Sequence, residues 1–400
     1  SNALAEQLAD QDDVVIINSC AVTNEAVRQT RQAIRQAHKR RPEARIMVTG
    51  CAAQVEPDTF RNMPEVAGIF GNAEKQDPDI LHQIVRQPDR PVVVSDIMTL
   101  QQTAPHLVTA YSGKTRAFVE VQNGCDHRCT FCIIPFGRGN SRSVPAGSVV
   151  EHIRMLVDKG FKEVVLTGVD VTSYGPDLPG KDNLGLLVER ILKLVPDLER
   201  LRLSSIDGVE IDDRLFALLT GEPRLMPHVH LSLQAGDNMI LKRMKRRHSR
   251  EMAIDLVARM KALRPEIAIG ADIIAGFPTE DDAMFQNSLD LVRQCQIVHG
   301  HIFPYSPKAG TPAAKMPQVA AQQIKARAKA LREAVAAERG AWLDTLVGSV
   351  QKIAVERGGR AGHAEDVAYV SRDKPMPEGS IVSAQVMEIK DGSVQAKVIA

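Results

Sequence analysis

Residues 124–139 read GCDHRCTFCIIPFGRG, and this stretch holds three cysteines, Cys125, Cys129 and Cys132, in the spacing C-x3-C-x2-C. Six cysteines in 400 residues do not make a disulfide framework, so a cluster this tight points to metal binding or catalysis. A structural zinc site is normally closed by four ligands. A 4Fe–4S cube held by three thiolates instead keeps one iron open. The stretch therefore predicts a catalytic iron–sulfur centre, with a zinc site completed by His127 or by a remote ligand as the alternative.

The cysteine stretch follows the first of six predicted strands. These strands are rich in apolar residues, and helical patterns separate them. We place them at 117–122, 163–168, 200–205, 228–233, 267–274 and 298–305. Six β/α units predict an open parallel barrel, assigned to residues 109–340. The cysteines would then lie in a loop at the carboxyl end of a strand, where barrel folds carry their active sites.

The chain before the barrel also alternates strands and helices. Residues 14–18, 44–50, 66–72 and 91–96 are predicted strands of an α/β domain over residues 1–108. Cys20 and Cys51 come just after the first two strands, where open α/β sheets place their ligands. Residues 1–3 have the composition of a cloning remnant, and residues 97–115 are predicted to be a linker.

The chain after the barrel changes to short segments that alternate apolar and polar residues. Residues 341–400 predict a small antiparallel β-barrel, and KDGS at 390–393 is typical of a hairpin turn.

Composition narrows the class of protein. The net charge is +1 and apolar residues make up 44% of the chain. A polyanionic partner would therefore meet local basic patches and not a global field. No segment has the length of a membrane span or the pattern of a secretory signal, so we expect a cytoplasmic protein without membrane contact. The remaining cysteine, Cys295, lies on an apolar helical face and is predicted to be a core residue.

Seven motifs give the chain a family resemblance. In order along the chain they are NSCAVTNEA (18–26), VTGCAAQ (48–54), GNAEK (71–75), GCDHRCTFCIIPFGRGNSRS (124–143), LTGVDVTSYG (166–175), HLSLQAG (230–236) and FPYSPKAGTPA (303–313). Together they resemble the methylthiotransferases of the radical S-adenosylmethionine (SAM) superfamily.

The resemblance implies a three-part architecture and two cofactors. The parts are a flavodoxin-like N-terminal domain, a partial (β/α)6 radical SAM barrel and a C-terminal TRAM RNA-binding barrel. SAM would bind the open iron of the cluster on Cys125, Cys129 and Cys132 and be cleaved to a 5′-deoxyadenosyl radical. A second 4Fe–4S cluster would use Cys20, Cys51 and a third cysteine upstream of residue 1. We therefore expect that the native N-terminus has been removed and that this second site is incomplete.

The resemblance also implies contacts to SAM. The segment GADIIAGFPTED (270–281) would lie near the ribose and adenine, with a backbone that approaches closely at a glycine and is fixed by a proline. The end of the second barrel strand would reach the methionine moiety, and polar residues at later strand ends complete the set. The candidates are Gly168, Asp170, Ser204, Ser232, Gln234, Gly276, Phe277 and Pro278. Arg138 could pair with a carboxylate or phosphate.

The substrate follows from the branch of the family. LRLSSIDGVE (201–210) resembles the branch that modifies threonylcarbamoyladenosine in tRNA, although Gly208 stands where that branch commonly has proline. Basic runs at 28–45 and 243–250, and Lys352, Arg357 and Arg360 in the tail, suit the anticodon loop of a tRNA. We expect flavodoxin or ferredoxin as electron donor. The alternatives are an aspartate methylthiotransferase acting on a ribosomal protein and a non-enzymatic, zinc-containing RNA-binding protein.

Overall fold

In the computed structural model, which describes residues 13–100, 115–180, 182–356 and 358–399, the N-terminal strands form one parallel sheet in chain order. The strands are β1 (Val14–Ser19), β2 (Arg45–Gly50), β3 (Val66–Phe70) and β4 (Val92–Val93). The helices are α1 (Asn24–Arg40), α2 (Cys51–Val55), α3 (Pro57–Arg61) and α4 (Pro78–Arg86). A flavodoxin-like sheet has the order 2-1-3-4-5. The described strands thus share its parallel α/β layering and not its switch in strand order.

Helix α1 begins and ends where its sequence indicates. The Thr23 hydroxyl accepts the Ala26 N–H at 3.1 Å, which caps the first turn, and buried Val27, Thr30 and Ile34 recur on one face. The opposite face is polar and basic. Helix α1 therefore packs one side on the sheet and exposes the other.

Seven strands follow, and six of them confirm the predicted barrel strands to within two residues. They are β5 (Arg116–Asn123), β6 (Arg142–Ser143), β7 (Glu163–Gly168), β8 (Arg200–Leu203), β9 (His228–Gln234), β10 (Ala268–Ala275) and β11 (Ile297–Pro304). Parallel pairing joins β5 to β7 and β7 to β8, and separately β9 to β10 and β10 to β11. An isolated parallel bridge between Ile206 and Leu231 continues the curve from one group to the other.

A short helix, α5 (Ile134–Arg138), lies between β5 and β6 in the chain. The helices that alternate with the later strands are α6 (Ala146–Asp158), α7 (Leu184–Leu194), α8 (Asp213–Gly221), α9 (Asn238–Arg243), α10 (Arg250–Leu263), α11 (Asp282–Gln294) and α12 (Ala321–Thr345). A Cβ at Gly300 of β11 would press on Val335 of α12, so Gly300 faces the helices. Because strand side chains alternate, His299, His301 and Phe303 face the interior of the barrel.

The tail forms a closed five-stranded barrel. Its strands are β12 (Val350–Val355), β13 (Ala361–Ala364), β14 (Tyr369–Arg372), β15 (Ile381–Lys390) and β16 (Ser393–Val398), in the order β12-β13-β14-β16-β15. All its pairings are antiparallel except that of β14 with β16, which is parallel. Asp391 and Gly392 have φ of 50° and 71°, as a two-residue hairpin turn of the predicted kind requires.

The internal contacts divide the chain into two compact units. The first comprises residues 1–110, 123–143 and 306–315, and the second residues 111–122, 144–305 and 316–400. The division into domains at 1–108, 109–340 and 341–400 stays a prediction. The cloning remnant, most of the linker and Arg357 lie outside the described residues.

Candidate iron–sulfur and SAM site

The loop after β5 carries the three clustered cysteines. The side chains of Cys125, Cys129 and Cys132 are half-buried. Hydrogen bonds fix the loop along its length: the Cys125 N–H donates to the Gly139 carbonyl at 3.0 Å, and the Cys132 N–H donates to the Cys129 carbonyl at 3.1 Å. The Thr130 carbonyl accepts the Ala313 N–H at 2.9 Å. Three soft thiol donors on a hydrogen-bonded loop are the donor set that an iron–sulfur cluster needs.

Cys20 and Cys51 lie at one edge of the N-terminal sheet, as predicted. Each directly follows its strand, and the residues before them, Ser19 and Gly50, are partners in the parallel register. Cys20 is exposed, whereas Cys51 is buried at the start of α2. The sequence prediction that both thiols end neighbouring strands is confirmed. Their role as cluster ligands stays a prediction.

Arg138 contacts one of these thiols. Its Nε lies 3.0 Å from Cys51 Sγ, and Asn72 Nδ2 lies 3.7 Å from the same sulfur. The Asn72 amide also donates to the Gly137 carbonyl at 2.5 Å. Two polar donors therefore converge on the sulfur of Cys51, a residue that also belongs to the buried apolar cluster of this unit. Arg138 was expected to pair with a carboxylate or phosphate, and the contact described here is to a sulfur.

Gly168 and Asp170 sit beside Gln122, the polar side chain near the end of β5. Gln122 Oε1 accepts the Asp170 N–H at 2.8 Å, and a Cβ at Gly168 would lie 2.8 Å from the same oxygen. The Asp170 carboxylate accepts the Ser173 hydroxyl at 2.9 Å. The strand ends of β5 and β7 are thereby joined.

Ser204, Ser232 and Gln234 follow at the ends of β8 and β9. Ser204 Oγ is buried and has no hydrogen-bond partner among the described residues. A buried hydroxyl without a partner is unfavourable by about 1–3 kcal/mol, so a bound ligand that pairs with it gains accordingly. Gln234 has a φ of 67°, a conformation that costs a non-glycine residue energy and is enriched at ligand sites.

The segment 276–280 forms a tight turn after β10. Gly276 has a φ of 72°, and a Cβ there would lie 2.6 Å from Ile324, so only glycine fits. The Phe277 ring is fully buried and packs edge-on against Tyr305 with 5.6 Å between centroids. Of the predicted SAM contacts in this turn, Phe277 can therefore offer its backbone and not its ring. Pro278 is buried as well.

Glu280 closes this turn. Burial raises its pKa to about 7, while Arg327 of α12, whose Nη1 lies 3.1 Å from Oε1, opposes the shift. The backbone amides of Gly276 and Phe277 also donate to the carboxylate. The turn is thus tied to α12 by one buried pair.

Sequence reasoning missed a group of histidines in the interior of the barrel. His230 of β9 and His301 of β11 both contact Asp272 Oδ1 of β10, from Nε2 at 3.0 Å and from Nδ1 at 3.1 Å. Although burial opposes its charge, these hydrogen bonds lower the pKa of Asp272 to about 2. The H-x-H spacing in HVH and HGH was a usable signal, because alternate strand residues share a face.

The predicted basic runs have different environments. In the run at 243–250, Arg246 donates to Asp207 Oδ2 at 2.9 Å, Arg243 donates to Thr279 Oγ1 at 2.7 Å, and Arg247 donates to Glu210 Oε1 at 2.6 Å. That run therefore fastens loops within its own unit. The cations of α1 are exposed: Arg28, Arg31, Arg35, Lys39 and Arg40. Lys352 and Arg360 of the tail are exposed too.

Cys295 has the environment of a core residue. It is fully buried after α11, and burial raises the pKa of its thiol to about 12. This confirms the prediction that it packs as an apolar side chain.

Two family profiles match the chain. The Radical SAM superfamily matches residues 119–292, and the Uncharacterized protein family UPF0004 matches residues 3–71. No helix among the described residues has the length and apolar character needed to cross a membrane.

Curated relatives match over nearly the whole length. The threonylcarbamoyladenosine tRNA methylthiotransferase MtaB of Rickettsia prowazekii is 48% identical over 98% of this chain and 92% of its own. The protein of the same name from Aquifex aeolicus is 39% identical over 81% of this chain and 79% of its own. The tRNA-2-methylthio-N(6)-dimethylallyladenosine synthase of Rickettsia rickettsii is 32% identical over 88% of this chain and 81% of its own.

Solved structures support the fold. The radical SAM methyltransferase TsrM from Kitasatospora setae, with cobalamin and a 4Fe–4S cluster bound, superposes with a TM-score of 0.55 at 16% identity. The match covers 78% of this chain and 70% of that one. The family profile, the curated relatives and the cysteine loop show that the chain belongs to the radical SAM family of tRNA methylthiotransferases, enzymes whose cofactors are a 4Fe–4S cluster and SAM.

Proposed function

We propose that this enzyme adds a methylthio group to carbon 2 of N6-threonylcarbamoyladenosine, next to the anticodon of tRNA. The observation that carries the proposal is the 48% identity, over 98% of the chain, to a relative named for threonylcarbamoyladenosine. A relative that is named for dimethylallyladenosine, a different modified adenosine, is only 32% identical. It supports the proposed type of reaction, but it is a weaker guide to the substrate than the relative at 48% identity.

Cys125, Cys129 and Cys132 are proposed to hold the cluster whose open iron binds SAM. When bound, cluster and SAM supply the 5′-deoxyadenosyl radical that takes hydrogen from carbon 2. The hydrogen bonds of the loop to Gly139 and Ala313 support this role, because they hold the thiols on a defined backbone. The identity of the family rules against the non-enzymatic zinc protein.

Residues at the carboxyl ends of the barrel strands are proposed to position SAM. Ser204 offers a buried hydroxyl without a partner among the described residues, which supports a contact to a polar group of the ligand. Gly276 would let the backbone of the turn approach SAM closely. Gly168 and Asp170 lie at the end of β7 beside Gln122 and would contact the methionine moiety. Ser232, Gln234, Phe277 and Pro278 complete the proposed set.

Cys20 and Cys51 are proposed ligands of a second 4Fe–4S cluster. Their adjacent positions after β1 and β2 support this, as do the donors that Arg138 and Asn72 direct at Cys51 Sγ. Donors to a sulfur ligand stabilise its negative charge and raise the reduction potential of a cluster.

The exposed cations of α1 and of the tail are the proposed contacts to the tRNA backbone. Their charge would meet phosphates. Flavodoxin or ferredoxin is proposed as electron donor, and the cytoplasm, where tRNA is modified, as location.

Nucleoside mass spectrometry of total tRNA tests the substrate. Cells with the gene are compared with cells lacking it and with cells carrying a Cys129→Ala copy. We expect the methylthio form of threonylcarbamoyladenosine only in the first. If cells without the gene instead lose the methylthio form of dimethylallyladenosine, the proposed substrate is wrong. Unchanged tRNA together with a loss of methylthio-aspartate in ribosomal protein would assign the activity to protein.

A further inference from the structure

Three strands bring three potential metal ligands together in the interior of the barrel. Asp272 and His301 are partners in the register of β10 and β11, and His230 lies on the other neighbour, β9. Nε2 of His230, a carboxylate oxygen of Asp272 and Nδ1 of His301 all lie within 4.8 Å of one another. Strands place these atoms more rigidly than loops would.

The distances suit a single ion. Nε2 of His230 and Nδ1 of His301 are 3.0 and 3.1 Å from Asp272 Oδ1. Ligand atoms about 2.1 Å from a tetrahedral ion are roughly 3.4 Å apart. Each imidazole nitrogen is thus within a few tenths of an ångström of the separation from Asp272 Oδ1 that a shared ion requires, and the two nitrogens lie within 4.8 Å of each other. Asp272 Oδ2 has no hydrogen-bond partner among the described residues, so this second carboxylate oxygen could also coordinate an ion.

The surroundings hold the triad in place. A Cβ at position 270 would overlap the His230 imidazole, so Gly270 is what lets this ring lie against β10. The His230 side chain is 7% exposed, that of Asp272 22% and that of His301 65%. The site is thus rigid at one side and open at the other, as a metal site with an accessible coordination position requires.

We propose that His230, Asp272 and His301 bind one divalent transition-metal ion, separate from the iron–sulfur chemistry of the cysteines. Two imidazoles and one carboxylate are a ligand set for Zn²⁺, Fe²⁺ or Co²⁺, and three protein ligands leave a position for water or for an oxygen of a substrate. This inference does not depend on which adenosine the enzyme modifies.

Co²⁺ titration of the full chain tests the proposal. Thiols also bind Co²⁺, so Cys20, Cys51, Cys125, Cys129 and Cys132 are first changed to serine, and circular dichroism confirms that the protein is folded. We expect one Co²⁺ per chain, with visible d–d absorption and without the near-ultraviolet thiolate band. Asp272→Asn and His301→Gln should each weaken binding at least tenfold. Zn²⁺ should compete for the same site.

His363→Gln is the matched control. His363 also pairs with a carboxylate, Glu356, at 2.8 Å, but on the tail barrel and without a second imidazole on that carboxylate among the described residues. It should leave Co²⁺ binding unchanged. A protein that binds no Co²⁺ at neutral pH, or that binds it equally after the Asp272 and His301 changes, would show that the triad is a hydrogen-bonded network only. Melting temperatures of the variants, measured in EDTA so that no metal is bound, show whether each variant is folded. A folded variant that binds less Co²⁺ has lost a ligand and not its structure.

Discussion

Arg202 Nε lies 2.7 Å from Glu163 Oε1, and both side chains are buried between the radical SAM strands and the tail barrel. The same guanidinium donates to the carbonyls of Glu365 and Ala364 at 2.7 and 2.9 Å. Arg200 adds a hydrogen bond to the Lys352 carbonyl at 2.9 Å. The tail barrel is therefore joined to the first residues of the barrel strands through two arginines that pair with the same carboxylate.

Changing Glu163 to Gln should destabilise the protein by about 3–5 kcal/mol, because it leaves Arg202 and Arg200 buried without their nearest counter-charge. Burial opposes the charge of Glu163, but these guanidinium groups hold its pKa below the usual range. Urea unfolding measures the effect. Glu199→Gln, which breaks an exposed pair with Lys162, is the control and should cost less than about 1 kcal/mol. Equal effects of both changes would refute the buried network.

Acid should weaken the same junction through His299. Its Nε2 donates to the Asp366 carbonyl and its Nδ1 accepts from Arg339, so the ring is neutral. Burial, with Arg339 adding to it, lowers the pKa of His299 to about 3. A depressed histidine pKa means that the unfolded state binds the proton first, so stability is lost as pH falls below about 6.5.

By pH 5 this one group should lower the free energy of unfolding by about 2 kcal/mol. Urea midpoints measured between pH 5 and 8 should fall toward acid in the wild type and fall less in His299→Gln. Parallel curves for the two proteins would contradict the assignment. His38→Gln, a change at an exposed position of α1, is the control.

Cys129→Ala should abolish reductive SAM cleavage, because two remaining thiols of the loop cannot hold the proposed cluster. The measurements are iron and sulfide content and 5′-deoxyadenosine by mass spectrometry after reconstitution. Cys295→Ala removes a cysteine of the core and should leave cleavage intact. Cleavage that persists in Cys129→Ala would show that the cluster is held elsewhere.

Reversing two charges on α1, Arg31→Glu with Lys39→Glu, should weaken tRNA binding. The slope of log affinity against log salt should fall by roughly two, one for each phosphate that is no longer neutralised. Arg154→Glu with Arg214→Glu, on helices α6 and α8, is the matched control for net charge. If both double variants bind tRNA with the same affinity and the same salt dependence, the assignment of the tRNA contacts to α1 is wrong.

The sequence predicted the regular elements well where a local signal exists. The stretch NEAVRQTRQAIRQAHKR (24–40) predicts a helix over the residues that α1 occupies, and β7 was predicted at its observed bounds. The sequence pattern predicts a last barrel helix near residues 319–339, whereas α12 continues through Gly340 to Thr345, since a single glycine inside a helix is tolerated. β4 has only two residues, since an edge strand with exposed Val92 has little to pack against.

Contacts between distant residues were beyond the sequence. Cys51 and Arg138 are 87 residues apart, and nothing local links them. The triad of His230, Asp272 and His301 depends on the register of three strands, which the sequence pattern does not specify. The Phe277 ring likewise packs against Tyr305, which lies 28 residues further along the chain, just after β11.

The first compact unit is assembled from three stretches, and this bears on how such enzymes can be recombined. Besides residues 1–110, this unit contains residues 123–143 and 306–315, which are assigned to it by their contacts. Within that unit Lys308 is buried and reaches Asn24 and Glu56, just as Arg138 reaches Cys51. A chimera that exchanges only the N-terminal hundred residues between two paralogues would inherit mismatched partners at each of these points. A functional chimera would require that all three stretches come from the same parent protein.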